Sequence, residues 1–163
     1  IEKIFKPLNM EHSFIHYKER KLNVTTPGID LSLNRVKPWT FSSFAGSEGI
    51  KSSISDLLNF TKSYFSKKNS SLLNVHSKNL NERIPSFNED LYYSSGWYSI
   101  NVIRKTRVLA SSGRTNGHSS FIGMVPENNT SVVVLSNSSY GTFDLGMLIL
   151  RMINDNWKRR PQQ

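Results

Sequence analysis

The feature that most constrains the fold is a change of periodicity at residue 96, after which apolar side chains recur at alternate positions up to residue 136. Alternation of this kind is typical of β-strands. Four strands are predicted, at residues 96–103, 108–111, 119–126 and 130–136. Short turn-forming segments separate them, which favours antiparallel neighbours. The last strand is apolar on both faces, so we expect it to be central in the sheet and covered.

Two segments outside these strands carry helical signals. Ser53 and Asp56 match a capping box, in which a hydroxyl caps the first turn and an acid three residues on returns a hydrogen bond. Apolar residues follow at helical spacing and predict a helix over 53–66. A terminal helix is predicted from Thr142 to about Asn156, much of it buried. Its apolar stripe comprises Leu145, Leu148, Ile149, Met152 and Ile153.

The remaining segments give weaker signals. Residues 1–6 read as the end of a helix that Pro7 stops, and a chain that opens inside a helix is expected to have lost residues upstream. Residues 69–90 are rich in Asn and Ser and are expected to be mostly loop, with room for one short helix. The whole pattern predicts an α+β fold in which helices flank an antiparallel β-meander.

Composition narrows the possible functions. The net charge of +9 is dispersed, and its two basic clusters, Lys18–Lys21 and Lys158–Arg160, each have a single aromatic neighbour, so no nucleic-acid partner is expected. The absence of cysteine excludes disulfides and thiol nucleophiles. His12 and His16 stand four apart but lack a metal-site motif, so we expect neither metal nor cofactor. No apolar stretch reaches the ~20 residues that span a bilayer.

The segment from Ser111 to His118 is the best local candidate for chemistry. Small hydroxyl residues and Gly113 end a predicted strand, and a Gly-containing turn leads to the next strand. Such a strand edge can pair with an amide substrate as an added strand, and its N–H groups can stabilise an oxyanion. A tight hairpin with ordinary turn residues explains the same segment, and local features alone favour that simpler interpretation.

Taken together, four stretches in order resemble the serine β-lactamase and penicillin-binding-protein-like family, in its branch of class C β-lactamases, esterases and D-alanyl-D-alanine peptidases. They are Ile4–Met10, Gly49–Leu57, Gly96-Trp97, and Ser112–Asn137 with its Val-Pro-Glu turn. The resemblance implies that residues 1–163 are the C-terminal portion of one β-lactamase/transpeptidase-like domain. It also implies an acyl-enzyme mechanism on an amide or ester substrate, with a periplasmic or secreted location.

The family's nucleophile motif, Ser-x-x-Lys, and its Tyr or Ser motif lie upstream of the first matching stretch, and no lysine of this chain has a serine three residues before it. The resemblance therefore implies a missing N-terminal half and an isolated chain without activity. A non-catalytic, penicillin-binding-like module is the alternative.

By the same resemblance, Ser111-Ser112-Gly113 occupies the family's third motif, and the backbone N–H of Arg114 would be one oxyanion donor. Asn116 and Glu48 are further candidates for substrate contacts. Ser111 stands where the family has Lys or His, so the cation that helps to hold a substrate carboxylate is missing there. The Arg114 side chain would restore a positive charge only if it shared the face of Ser111.

Overall fold

The computed structural model describes residues 1–15, 25–40, 45, 49–66, 70–102 and 106–154. The strands are β1 Gly28–Ile29, β2 Arg35–Val36, β3 Ile84–Pro85, β4 Leu91–Ser94, β5 Trp97–Asn101, β6 Arg107–Thr115, β7 His118–Val125 and β8 Thr130–Ser136. The helices are α1 Ile54–Phe65, α2 Ser70–Asn81 and α3 Thr142–Asn154. A single 3₁₀ turn, Pro126–Asn128, joins β7 to β8.

The main sheet has six antiparallel strands in the order of the chain, from β3 to β8. This meander confirms the predicted α+β class. β1 and β2 form a separate two-stranded ribbon. β6 is longer than the predicted strand 108–111, because β7 pairs with it as far as Thr115. Residues 111–115 carry no apolar alternation, so backbone pairing rather than side-chain pattern extends the strand.

Two helical layers cover the sheet on opposite faces. On the α3 face, Val108, Ala110, Phe121 and Leu150 form a core cluster. On the α1 face, Leu109, Met124 and Trp97 pack with Tyr64. Since alternate residues of a strand point to opposite faces, these clusters fix the direction of every side chain along β6 and β7.

The prediction of an N-terminal helix end at residues 1–6 is wrong in detail. The N–H of Phe5 donates to the carbonyl of Ile1 at 2.9 Å, and that of Leu8 to Ile4 at 3.1 Å, but these turns do not continue as an α-helix. Phe5 and Leu8 are buried in a small cluster, whereas Ile1 and Ile4 are exposed. Tertiary packing of Phe5, rather than helical periodicity, shapes this segment.

The capping box is confirmed in one half. Ser53 Oγ accepts a hydrogen bond from the Asp56 N–H at 3.2 Å and starts α1 as predicted. The Asp56 carboxylate does not return to Ser53; it accepts bonds from the His12 N–H at 2.8 Å and the Ser13 hydroxyl at 2.7 Å. Asp56 thus ties the N-terminal segment to α1.

The largely loop-like prediction for residues 69–90 is also wrong, since α2 occupies Ser70–Asn81. Its inner side is held by polar contacts, which an apolar pattern does not reveal. The Asn79 side chain donates to the Tyr64 hydroxyl at 2.9 Å, and the Asn79 carbonyl accepts from Ser94. These tertiary contacts stabilise a helix with weak amphipathicity.

Two further expectations fail for the described residues. β8 lies at an end of the main sheet rather than at its centre. The stripe of α3 is largely exposed, with Leu148 and Met152 at 53% and 58%, whereas Thr142, Gly146 and Leu150 are buried. A Cβ on Gly146 would stand 2.0 Å from Phe121 Cδ1, so this glycine lets the ring pack directly on the helix and turns the bulkier stripe aside.

Among the helices in the described ranges, none is both long and apolar enough to cross a membrane.

Candidate active-site edge

The hairpin between β6 and β7 sets the direction of the backbone groups along β6. Thr115 pairs with His118 across a two-residue turn, so these two residues exchange hydrogen bonds. Alternation along the ladder then directs the backbone groups of Ser111 and Gly113 towards β7. The N–H and C=O groups of Ser112 and Arg114 point to the other edge of the strand.

That other edge is paired only in its first half. β5 pairs with β6 from Arg107 to Ala110, and within the described part of the chain no strand continues this pairing along 111–115. We call these five residues the open edge. The Arg114 N–H therefore faces an unpaired strand edge, which is the setting that an added substrate strand or a developing oxyanion requires.

The side chains along the open edge divide between the two faces of the sheet. Ser111 pairs with Ile122, which packs in the α1-face cluster, so Ser111 and Gly113 lie on the α1 face. A Cβ on Gly113 would stand 3.0 Å from Ser120 Oγ, so glycine keeps this side of the strand uncrowded. Ser112 and Arg114 lie on the opposite, α3 face.

The Arg114 guanidinium lies over the ring of Tyr140, 5.1 Å from its centroid. This contact holds the guanidinium on the α3 face, so the Arg114 side chain places no positive charge beside Ser111. Both side chains are exposed, and the attraction between the guanidinium and the ring is a modest one.

The far end of the hairpin is fixed by a group of hydrogen bonds. Ser139 Oγ accepts from the Gly117 N–H at 2.8 Å and donates to the Thr115 carbonyl at 3.3 Å. The Ile29 N–H donates to the Gly117 carbonyl at 3.2 Å, and His118 Nε2 donates to the Thr26 carbonyl at 2.8 Å. Segments from three parts of the chain thus converge on one turn.

A second polar cluster lies on the α1 side, between α1, α2 and β5. Tyr64 OH accepts from Trp97 Nε1 at 3.0 Å as well as from Asn79. Burial raises the pKa of Tyr64, and its two hydrogen bonds partly oppose that change. The His76 ring stacks on Tyr64 with centroids 3.8 Å apart. The four side chains of this cluster are all buried.

The structure brings most of the predicted site residues together. Ser111, Ser112, Gly113 and Arg114 lie in the open edge, and Asn116 is exposed at the adjoining turn. Glu48 lies outside the described residues. Sequence reasoning missed Ser139, because one serine in a Ser- and Asn-rich segment carries no signal until the hairpin is placed beside it.

Among the described residues, no three His, Cys, Asp or Glu side chains are arranged to hold a metal ion.

The fold and the open edge define the class of this protein: part of a β-lactamase/transpeptidase-like fold. Residues 2–153 match the β-lactamase family. The chain therefore belongs to the β-lactamase family. Among curated proteins, none matches the sequence significantly.

Solved structures show the same fold at low identity. A class C β-lactamase superposes with a TM-score of 0.81 at 17% identity, over 95% of this chain and 50% of that one. A β-lactamase/D-alanine carboxypeptidase from Pseudomonas syringae gives 0.79 at 15%, over 95% and 52%. An octameric penicillin-binding protein homologue from Pyrococcus abyssi gives 0.78 at 24%, over 93% and 36%. The chain thus spans about half or less of each of these structures.

Proposed function

We propose that this chain is the substrate-side half of a serine hydrolase that cleaves an amide or ester through an acyl-enzyme. The observation that carries the proposal is the Arg114 N–H, which points to a strand edge beside Gly113 that no described strand pairs with. A peptide-like or acyl substrate adds to this edge as a strand, and its carbonyl oxygen accepts from that N–H as it becomes an oxyanion.

The nucleophile belongs to the other half of the same fold. The matching region occupies 50% to 52% of the class C β-lactamase and the carboxypeptidase, which supports a second part of similar size. The outer edge of β8 and the exposed stripe of α3 are surfaces that such a part would cover. On this proposal, the chain by itself can bind substrate but cannot convert it to product.

The proposed reaction has two balanced steps. The serine Oγ bonds to the carbonyl carbon, the bond to the leaving nitrogen or oxygen breaks, and the serine proton passes to the leaving group. Water then adds to the acyl carbon, releases the acid and returns a proton to the serine. The open edge contributes orientation and charge stabilisation to both steps.

The preferred substrate carries no carboxylate next to the reacting carbonyl. Ser111 supplies a hydroxyl where related motifs supply a cation, and the Arg114 guanidinium is held over Tyr140 on the other face. An uncharged acyl ester or amide avoids the cost of desolvating an unpaired carboxylate at this position.

Two substitutions at Arg114 test the oxyanion role in the full-length protein. Arg114→Pro removes the N–H that faces the open edge and leaves the pairing with β7 in place, because proline is tolerated where the N–H points away from the ladder. Arg114→Ala, the matched control, keeps the N–H and removes the side chain. Two rates are measured: labelling by a fluorescent fluorophosphonate, and release of p-nitrophenol from an uncharged p-nitrophenyl ester.

We expect both rates to be about 100-fold lower in the proline variant than in wild type, and to stay within about threefold of wild type in the alanine variant. A correctly folded wild-type protein that reacts with neither probe would reject the hydrolase and favour the non-catalytic binding module. Equal labelling of the proline variant and wild type would reject the oxyanion role of Arg114.

A further inference from the structure

Ser139 stands out among residues that the proposed reaction does not use. It lies in the connection between β8 and α3, is 5% exposed, and contacts the β6–β7 turn 24 residues upstream. A buried hydroxyl that bridges two chain segments has few conformations open to it, so its contacts define the local geometry.

The Ser139 hydroxyl accepts one hydrogen bond and donates another. It accepts from the Gly117 N–H at 2.8 Å and donates to the Thr115 carbonyl at 3.3 Å. Gly117 has φ of 94°, a backbone conformation that most residues avoid, and a Cβ there would stand 2.3 Å from Val36 Cγ2. The turn therefore contains Gly117 in a conformation that favours glycine, and the Ser139 hydroxyl, which we call the clamp, accepts a hydrogen bond from the Gly117 N–H.

Thr115 is both the last residue of the open edge and one of the two groups that Ser139 binds. Any rotation of the turn is passed along β6 to Arg114, whose N–H is the proposed oxyanion donor. Orientation errors well below the length of a bond reduce the rate of a positioned reaction strongly.

We propose that Ser139 is a positioning residue that holds the β6–β7 turn and, through Thr115, aligns the open edge for acylation. This inference rests on the proposed hydrolase function, but the clamp itself has a readout that needs no catalysis. Exchange of the Gly117 amide hydrogen reports directly on the bond to Ser139.

The test uses the full-length protein with three variants. Ser139→Ala removes the clamp, Ser139→Thr keeps a hydroxyl, and Ser138→Ala removes a neighbouring, exposed hydroxyl as the control. The measurements are Gly117 amide exchange by NMR, the acylation rate with the uncharged ester, and the melting temperature.

We expect Ser139→Ala to speed Gly117 exchange by about fivefold, the effect of losing one net hydrogen bond, and to slow acylation by about tenfold. Ser139→Thr should restore both values, and Ser138→Ala should change neither. Wild-type exchange and acylation rates in Ser139→Ala would overturn the inference. The inference would also be overturned if Ser139→Ala slowed acylation and Ser139→Thr, although it melts at the wild-type temperature, did not restore the rate.

The hydrolase function and the positioning role of Ser139 can be rejected independently. If the wild type is not acylated at all, the hydrolase proposal fails, whatever the Gly117 exchange rates show. If the wild type is acylated and the Ala variant matches it, only the role of Ser139 fails.

Discussion

Ser63 Oγ lies 2.9 Å from Nε2 of His76, and this buried pair joins α1 to α2. The same hydroxyl lies 2.6 Å from the Phe60 carbonyl, to which it donates. The other ring nitrogen, Nδ1, has no hydrogen-bond partner within the described part of the chain. A second proton on this ring would be buried without an acceptor, so the neutral form is favoured in the folded protein.

The first prediction concerns the pH dependence of stability. Burial lowers the pKa of His76 below its ordinary value of 6.5. His76 is therefore protonated near pH 6.5 in the unfolded chain but still neutral in the folded protein. As a result, the free energy of unfolding falls as the pH drops from 6.5 towards the folded-state pKa. The stabilising effect of the neutral ring is fully present above pH 6.5.

The measurement is the free energy of unfolding of the full-length protein by urea at several pH values from 8 to 5. His76→Gln, which does not titrate, should flatten the fall below pH 6.5, whereas Asn74→Gln on the exposed side of α2 should leave it unchanged. A His76→Gln variant with the wild-type slope would contradict the assignment.

The second prediction concerns the charge at the first position of the third motif. Ser111→Lys places a cation on the α1 face beside the open edge and should raise the rate of labelling by a fluorescent penicillin, which carries a carboxylate, by about tenfold. The neighbouring Ser112→Lys, on the opposite face, is the matched control and should give no gain. Equal gains from both variants would show that general positive charge, rather than its position, governs labelling.

The third prediction concerns the contact between α3 and the sheet. Alanine is ordinarily about 1 kcal/mol better than glycine within a helix. At Gly146, however, the added methyl group meets the Phe121 ring, so Gly146→Ala should destabilise the protein by about 1–3 kcal/mol. Thermal or urea unfolding measures the change.

A double-mutant cycle supplies the control for that contact. Phe121→Leu removes the edge of the ring, so Gly146→Ala should cost less in the Phe121→Leu background than in wild type. Strictly additive effects would mean that the methyl group and the ring do not meet.

The fourth prediction concerns Asp56, which is 2% exposed. Asp56→Ala leaves the His12 N–H and the Ser13 hydroxyl without their acceptor and should cost about 2–4 kcal/mol in the free energy of unfolding. Asp144→Ala, at an exposed position in the first turn of α3, should cost less than about 1 kcal/mol. Similar losses at the two positions would contradict the role of Asp56 as the tie to the N-terminal segment.

The parts of this fold that follow local rules could be predicted from the sequence. Alternation located β7 and β8 to within a residue at each end, and Ser53 located the start of α1. The family resemblance assigned Ser111–Gly113 to the third motif and the Arg114 N–H to an oxyanion donor, whereas the strand predicted from the pattern ended at Ser111. These features depend on side-chain period and capping, which neighbouring residues determine.

The features that the sequence did not reveal depend on distant partners. α2 is stabilised by Asn79 and His76 against Tyr64, and no local pattern encodes those contacts. The face of α3 that packs inward follows from a glycine opposite Phe121. The open edge exists because β5 stops pairing at Ala110, and register between strands is set by the whole sheet.

The most direct test of the central claim is to identify the residue that a fluorophosphonate modifies in the full-length protein. Intact-mass measurement followed by peptide mapping gives the number and position of the adducts. We predict one adduct, on a serine outside residues 1–163, with its formation suppressed by Arg114→Pro. An adduct on a serine within this chain, or none on a protein that melts cooperatively, would contradict the account.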